Sequence, residues 1–247
     1  MSAGVSPWQQ LADAGLNRQH VFALADLPPE LRQQIAAQDG ETQLILLGHA
    51  GQLLWEKVQA AQRDQAVDAV AADPIDAYTV TCVRRFFARQ APGVAYRILY
   101  PGAPSVGLQA LGQLAGWHHA APFMVGIDPQ WGSWFAYRAL IVAASDFPLS
   151  EPQTHAHPCA ACSEPLCRTA CPAAALQASF DLTACADFRL QPASPCATNC
   201  LARRACPLGQ QHAYDARQMQ HSYGYSLQAL QRWRAGQADS PGLSAAD

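Results

Sequence analysis

The sequence predicts an α+β protein in three layers (helix, sheet, helix), followed by a small cysteine-rich module. Three observations carry that expectation. Strand-length apolar runs alternate with helix-length periodic segments over the first 150 residues, the pattern of helices packed on a sheet. Half of the 247 residues are apolar and only 14% are charged, against about 25% charged in an average soluble domain. Eight of the nine cysteines fall between Cys159 and Cys206, leaving Cys82 alone. Composition therefore divides the chain into a body over 1–150, a module over 151–215, and a C-terminal helix with a frayed tail over 216–247.

The elements follow in order. Residues 21–24 read as a short strand after a helical lead-in. Pro28, Pro29 and Glu30 open a helix running to about Ala37. Residues 42–47, with Leu44, Ile45, Leu46 and Leu47, are a strand, and Gly51 onward is helical. The clearest helix starts at Asp73-Pro74. Asp73 can cap, Pro74 suits the first helical position, and Asp76 suits the positive end of the helix dipole. Ile75, Tyr78, Thr79, Cys82, Val83 and Phe86 then keep helical spacing, so Cys82 reads as a buried small hydrophobe. Residues 96–100 form a strand that ends at the turn-rich Pro101, Gly102, Ala103, Pro104. Val106, Ala110, Leu111, Leu114 and Ala115 mark another helix face. Residues 134–144 are a buried strand, and a linker with Pro148, Pro152 and Pro158 leads to the cysteines.

Charge and termini narrow the function classes. The first residues carry no basic segment and no long apolar run, so no secretory signal is expected. No run reaches the length of a membrane span, about 18 residues. A cytoplasmic location is the expectation, and there clustered cysteines bind metal more often than they pair as disulfides. Net charge is −3 and basic residues are almost all arginine, Lys57 being the one lysine. No basic stripe suits a nucleic acid.

The cysteines carry the chemistry. Cys159, Cys162, Cys167 and Cys171 are spaced C-x2-C-x4-C-x3-C and followed by Pro172. Cys185, Cys196, Cys200 and Cys206 follow, with Pro207 after the last. Both blocks end in Cys-Pro, as in the two-cluster bacterial ferredoxin run, where the fourth cysteine serves the other cluster. Eight thiolates are what two 4Fe–4S clusters require. By analogy with that crossed pattern, Cys159, Cys162, Cys167 and Cys206 form one set, and Cys171, Cys185, Cys196 and Cys200 the other. Each Cys-Pro step is expected to stop a loop and start a helix. The alternatives are two four-cysteine zinc sites, whose usual signature is separated C-x2-4-C pairs, or free thiols. His155 and His157 read as loop residues, since eight cysteines complete both sites.

A family resemblance rests on these residues. Residues 132–142 (Gly132, Ser133, Trp134, Phe135, Ala136, Tyr137, Arg138 and onward), the cysteine run, and Asp181 before Cys185 resemble epoxyqueuosine reductase. Reductive dehalogenases share that architecture. Residues 127–138 and the Asp73-Pro74-Ile75-Asp76 start also resemble the cobalamin-processing decyanase of CblC type. The likeness covers about residues 70–215. It implies a nitroreductase-like domain followed by a two-cluster ferredoxin-like domain, with clusters that pass electrons to a bound corrinoid. Trp117, Trp131, Gly132, Ser133, Trp134 and Phe135 would then line the cofactor site. Two departures argue against the queuosine reaction. Pro101 stands where that family's aspartate proton donor is placed, and only about 40 residues follow Cys206, too few for a tRNA-binding helical region.

The resulting expectation is an iron–sulfur oxidoreductase that takes electrons from a flavodoxin- or ferredoxin-type donor, with no nucleic acid or membrane partner. It would reduce cobalamin or remove its upper ligand. Tyr100 reads as structural rather than as a proton donor. The competing expectations are a ferredoxin-like electron carrier without corrinoid, and a corrinoid- or flavin-dependent reductase of a small organic substrate. No glycine-rich dinucleotide fingerprint supports nicotinamide binding.

Overall fold

The computed structural model describes residues 6–65, 73–102 and 106–238. Ala103 and Pro104 of the expected turn, and the tail over 239–247, lie outside the described residues. The body is built on a four-stranded sheet of β1 (Arg18–Ala23), β2 (Gln43–Ala50), β3 (Tyr96–Tyr100) and a later long strand, Phe135–Ala143. Between β3 and that strand run two short ones, β4 (His119–Ala120) and β5 (Gly126–Ile127), which pair as a ribbon and make the long strand β6. The sheet order is β1-β2-β6-β3, antiparallel throughout.

The two central strands explain the layers. Every residue of β2 is buried, so the strand reads as a continuous apolar run rather than an alternation. Alternate side chains still go to opposite faces. Ile45, Leu47, Ala139, Ile141 and Ala143 enter one core, packed by α1 (Gln9–Asp13), α3 (Leu53–Arg63) and α4 (Pro74–Gln90). Leu44, Leu46, Leu140 and Val142 enter the other, beneath α2 (Pro29–Ile35) and α5 (Leu108–Leu114). Asp73 caps α4 as its residue type foretells: its Oδ1 accepts from the Ile75 and Asp76 amides at 2.8 and 3.4 Å. Cys82 is buried in the first core.

Beyond β6 the proline-rich segment is laid against the body rather than slack. Gln43 Oε1 accepts from Ser145 Oγ at 2.7 Å and from the Phe147 amide at 3.0 Å. The Ser150 amide donates to the Val21 carbonyl, and the Gln153 amide to that of Ala115. The cysteine region then folds as three short helices, α6 (Leu166–Thr169), α7 (Leu182–Arg189) and α8 (Leu201–Ala205). Its small core joins Phe123 and Ile127 of the β4–β5 region to Cys167, Leu176, Ala202 and Cys206. The last helix, α9 (Ala216–Ala238), continues four residues past Arg234, where fraying is the sequence expectation. Among the described residues, no helix is long and apolar enough to cross a membrane.

Candidate functional site

Helix ends bring the cysteines together. His157 Nδ1 accepts from the Cys159 amide at 3.2 Å, starting the turn that carries Cys159 and Cys162. Asp181 Oδ1 accepts from the Ala184 amide at 2.9 Å and so starts α7, which carries Cys185. Cys200 caps α8 itself, its Sγ accepting from the Arg203 amide at 3.4 Å. The Cys-Pro steps work opposite to expectation. Cys206 is the C-cap of α8, and Cys171 follows the C-cap of α6. Each proline stops a helix rather than starting one, because it cannot supply the amide that the next turn needs.

The eight cysteines separate into two quartets. Cys159, Cys162, Cys167 and Cys206 line a hollow of about 90 Å³, and Cys159, Cys162 and Cys206 also line an adjoining one of about 270 Å³. Cys171, Cys185, Cys196 and Cys200 line a larger, mostly apolar cavity of about 430 Å³. Charge coupling follows the same division: Cys159 feels Cys206, Cys167 and Cys162, whereas Cys185 feels Cys200, Cys171 and Cys196. Burial pushes the Cys159, Cys167 and Cys196 thiols up, and pushes Cys185 up to about 11 against the pull of Arg189. Thiols held up in this way ionise readily only when a metal takes the sulfur. All nine cysteines are free. Among the described residues, no three His, Cys, Asp or Glu side chains gather closely enough to hold a single ion.

The quartets differ in exposure. Cys162 of the first is exposed. The second is walled by Phe123, Leu176, Phe180, Tyr223 and Leu230, with Arg189 and Arg203 on the same cavity. Sequence reasoning missed both arginines, because their partners are backbone carbonyls and rings that no motif announces.

The residues expected to line a cofactor lie at the seam where the sheet meets the cysteine region. Gly132 has φ +60° and Gly209 φ +71°. A Cβ on Gly132 would lie 2.2 Å from the Leu208 carbonyl oxygen, so the two backbones meet there and only glycine fits. Ser133 Oγ accepts from Arg203 Nε at 3.1 Å. The Arg203 guanidinium lies 4.5 Å from the Trp134 ring centroid and 5.0 Å from that of Tyr214. Trp117 stacks on Tyr137, and the Arg18 guanidinium sits 4.7 Å over it and 5.2 Å over Phe135. Arg18 is also paired with buried Asp128 at 2.8 Å. Trp131 packs on His212. Trp117 and Trp131 both edge a polar cavity of about 390 Å³ that also meets Arg18 and Asp128. His155 and His157 stay in the loop, His119 stacking on His157 and reaching the His155 carbonyl. Tyr100 packs at the edge of the second core, where burial pushes its hydroxyl up.

No protein-family model matches the sequence, and no curated protein matches it. Solved structures do. An epoxyqueuosine reductase bound to a tRNA-Tyr epoxyqueuosine-modified stem loop is 13% identical, with a TM-score of 0.53 over 87% of this chain and 67% of that one. Epoxyqueuosine reductase from Streptococcus thermophilus is 11% identical, with a TM-score of 0.50 over 87% and 68%. The B12-trafficking protein CblC of C. elegans is 13% identical over 92% and 93%, but its TM-score of 0.49 supports no inference. At these identities the likeness is one of fold.

Proposed function

We propose that this chain is an iron–sulfur redox protein that moves single electrons through two 4Fe–4S clusters held in a ferredoxin-like module over 151–215. Cys159, Cys162, Cys167 and Cys206 would hold one cluster, and Cys171, Cys185, Cys196 and Cys200 the other. The observation that carries this reading is the crossed grouping. The last cysteine of each run sits with the other run's set, as two-cluster ferredoxin spacing demands. The donor set fits: four sulfurs per site, with mostly apolar walls around the second. Zinc sites favour separated C-x2-4-C pairs, which a four-cysteine run ending in Cys-Pro does not match. When bound, each cluster supplies one-electron chemistry. The chain's own residues do the rest. Exposed Cys162 brings the first site to the surface, where an external donor can dock. Phe123, common to the rims of both quartets, separates them by apolar packing.

The acceptor is a separate question. A corrinoid is what the family resemblance implies, and fold likeness to the epoxyqueuosine reductases supports keeping it under test. The residues fit that group poorly. Ser133, Trp134 and Phe135 are buried among Arg203, Tyr214, Arg18 and Tyr137, and the cavity that Trp117 and Trp131 edge is polar. The electron-transfer reading therefore stands without a corrinoid step.

Anaerobic reconstitution tests it. The expected product is brown and holds about eight iron atoms and as much sulfide per chain, with two signals in electron paramagnetic resonance after dithionite. A colourless protein with zinc and no sulfide overturns the reading. Hydroxocobalamin is then added: a stoichiometric complex with a base-off cob(II)alamin spectrum would extend the function to cobalamin reduction or upper-ligand removal. No binding, with clusters intact, leaves an electron carrier.

A further inference from the structure

We propose that Arg189 is the counterion of the cluster in the second quartet, and that its charge raises the reduction potential of that site. The inference rests on the iron–sulfur reading above.

Arg189 ends α7, one turn after Cys185, and is only 8% exposed. Four of its five N–H donors have partners. Nε donates to the Cys196 carbonyl at 3.0 Å, Nη2 to the Ala197 and Tyr223 carbonyls at 3.1 Å each, and Nη1 to Ser226 Oγ at 3.0 Å. The Tyr223 ring lies 5.1 Å from its Cζ. These partners are neutral. No carboxylate pairs with Arg189 among the described residues. A guanidinium keeps its charge in a protein, and a buried charge without an opposite one is costly. The anion that the pocket can offer is the quartet itself. Arg189 lines the same cavity as Cys171, Cys185, Cys196 and Cys200, and its Nε is bonded to the backbone of Cys196.

Four free thiols would leave the cation uncompensated, whereas a ligated cluster is net negative and becomes one unit more negative when it takes an electron. The added charge appears in a low-dielectric pocket, where a fixed cation acts strongly. Enclosure alone disfavours that charge and lowers the potential; the fixed cation acts against enclosure. No proton is required: the electron comes from the donor, and the charge is balanced in place. Because Arg189 also holds the Tyr223 carbonyl and Ser226 of α9, the same residue seats that helix over the site.

The test compares Arg189→Gln and Arg189→Lys in the full reconstituted chain, by redox titration followed with electron paramagnetic resonance and iron analysis. Cys162→Ala, which removes the first cluster, assigns the two couples. The expected result for Arg189→Gln is a second couple whose equilibrium constant for reduction falls about tenfold, ~59 mV for one electron. The first couple stays in place, and Arg189→Lys recovers most of the shift. Should Arg189→Gln fail to load the second site, recovery of loading by Arg189→Lys supports the charge role. Two outcomes overturn the proposal: full iron with both couples unmoved in Arg189→Gln, or Arg189→Lys behaving as Arg189→Gln does. The second outcome would mean that the forked hydrogen bonding matters and the charge does not. Wild-type protein without iron–sulfur signals removes the underlying reading instead.

Discussion

The sheet body and the cysteine module are held together by different physics. Among the described residues, the body has two apolar clusters of sixteen and twelve buried side chains, one on each face of the β1-β2-β6-β3 sheet. The cluster around the module has six, of which the module supplies four, two of them cysteines. Its helices are four, eight and five residues long, too short to be stable on propensity alone. The body folds on buried area. On the iron–sulfur reading proposed above, the module would draw on what its sulfurs bind, because metal-binding free energy would then act as folding free energy.

The largest expected effect separates the two regions outright. Stripping iron anaerobically should remove amide protection from α6, α7 and α8 while β2 and β6 keep theirs, read by hydrogen exchange. Equal loss in both regions would break the comparison. Single substitutions sharpen it. Cys206→Ala should lower iron from about eight to about four atoms per chain and abolish the same resonance signal as Cys162→Ala. Cys206 is much nearer to Cys200 in sequence, so a loss matching that of Cys196→Ala would overturn the crossed grouping.

The seam comes next in size. Asp128→Asn keeps the oxygen that accepts from the Gln130 and Trp131 amides at 2.7 and 2.8 Å, but removes the charge that Arg18 faces at 2.8 Å. Breaking a buried pair in this way costs about 3–5 kcal/mol. Urea denaturation followed at the body's tryptophans should show that loss with or without iron. A loss confined to the iron-loaded protein would place the pair in the module's energetics instead.

Acid should destabilise the body and the seam. Burial pushes His20 and His118 down to about 4 and holds His49 well below its usual value, with Arg138 and Arg203 adding to the effect at His49. The folded state therefore refuses protons that the unfolded chain accepts from about pH 6.5 downward. Stability is flat above that pH and falls as pH drops from 6.5 toward 4. The slope is at most about 1.4 kcal/mol per pH unit for each group. Urea midpoints at pH 7, 6 and 5 measure it, and an unchanged midpoint at pH 5 would contradict the burial of these rings.

Much of the body was readable in the sequence. The apolar runs at 42–47 and 134–144 became the two central strands, and Asp73-Pro74 starts α4 as its residue types require. Local chemistry decides those features. The β4–β5 ribbon was not readable, because two-residue strands leave no periodicity. The cofactor role expected of residues 132–135 met a tertiary fact: Gly132, Ser133 and Trp134 receive Leu208 and Arg203 from the module. Close backbone contact and a lined pocket both favour glycine, serine and aromatic residues. Composition cannot tell them apart. Arg189 was unreadable for a related reason, since four of its partners are neutral acceptors spread from Cys196 to Ser226.

The smallest effect probes the link between the two regions at Asp73. Its carboxylate caps α4 through the Ile75 and Asp76 amides and also lies 3.7 Å from His221 Nε2 of α9. Losing an N-cap costs about 1 kcal/mol, whereas a partly exposed contact to a histidine ring, ionic only when the ring is protonated, is worth about 0–1 kcal/mol. Serine can cap but cannot carry the charge. Asp73→Ala should therefore cost about 1 kcal/mol or slightly more, and Asp73→Ser a few tenths, both read from urea unfolding of the body. If Asp73→Ser costs as much as Asp73→Ala, the contact to α9 outweighs the cap. The body would then draw stability from the helix that Arg189 seats over the second quartet, and its independence of the module would fail at that point.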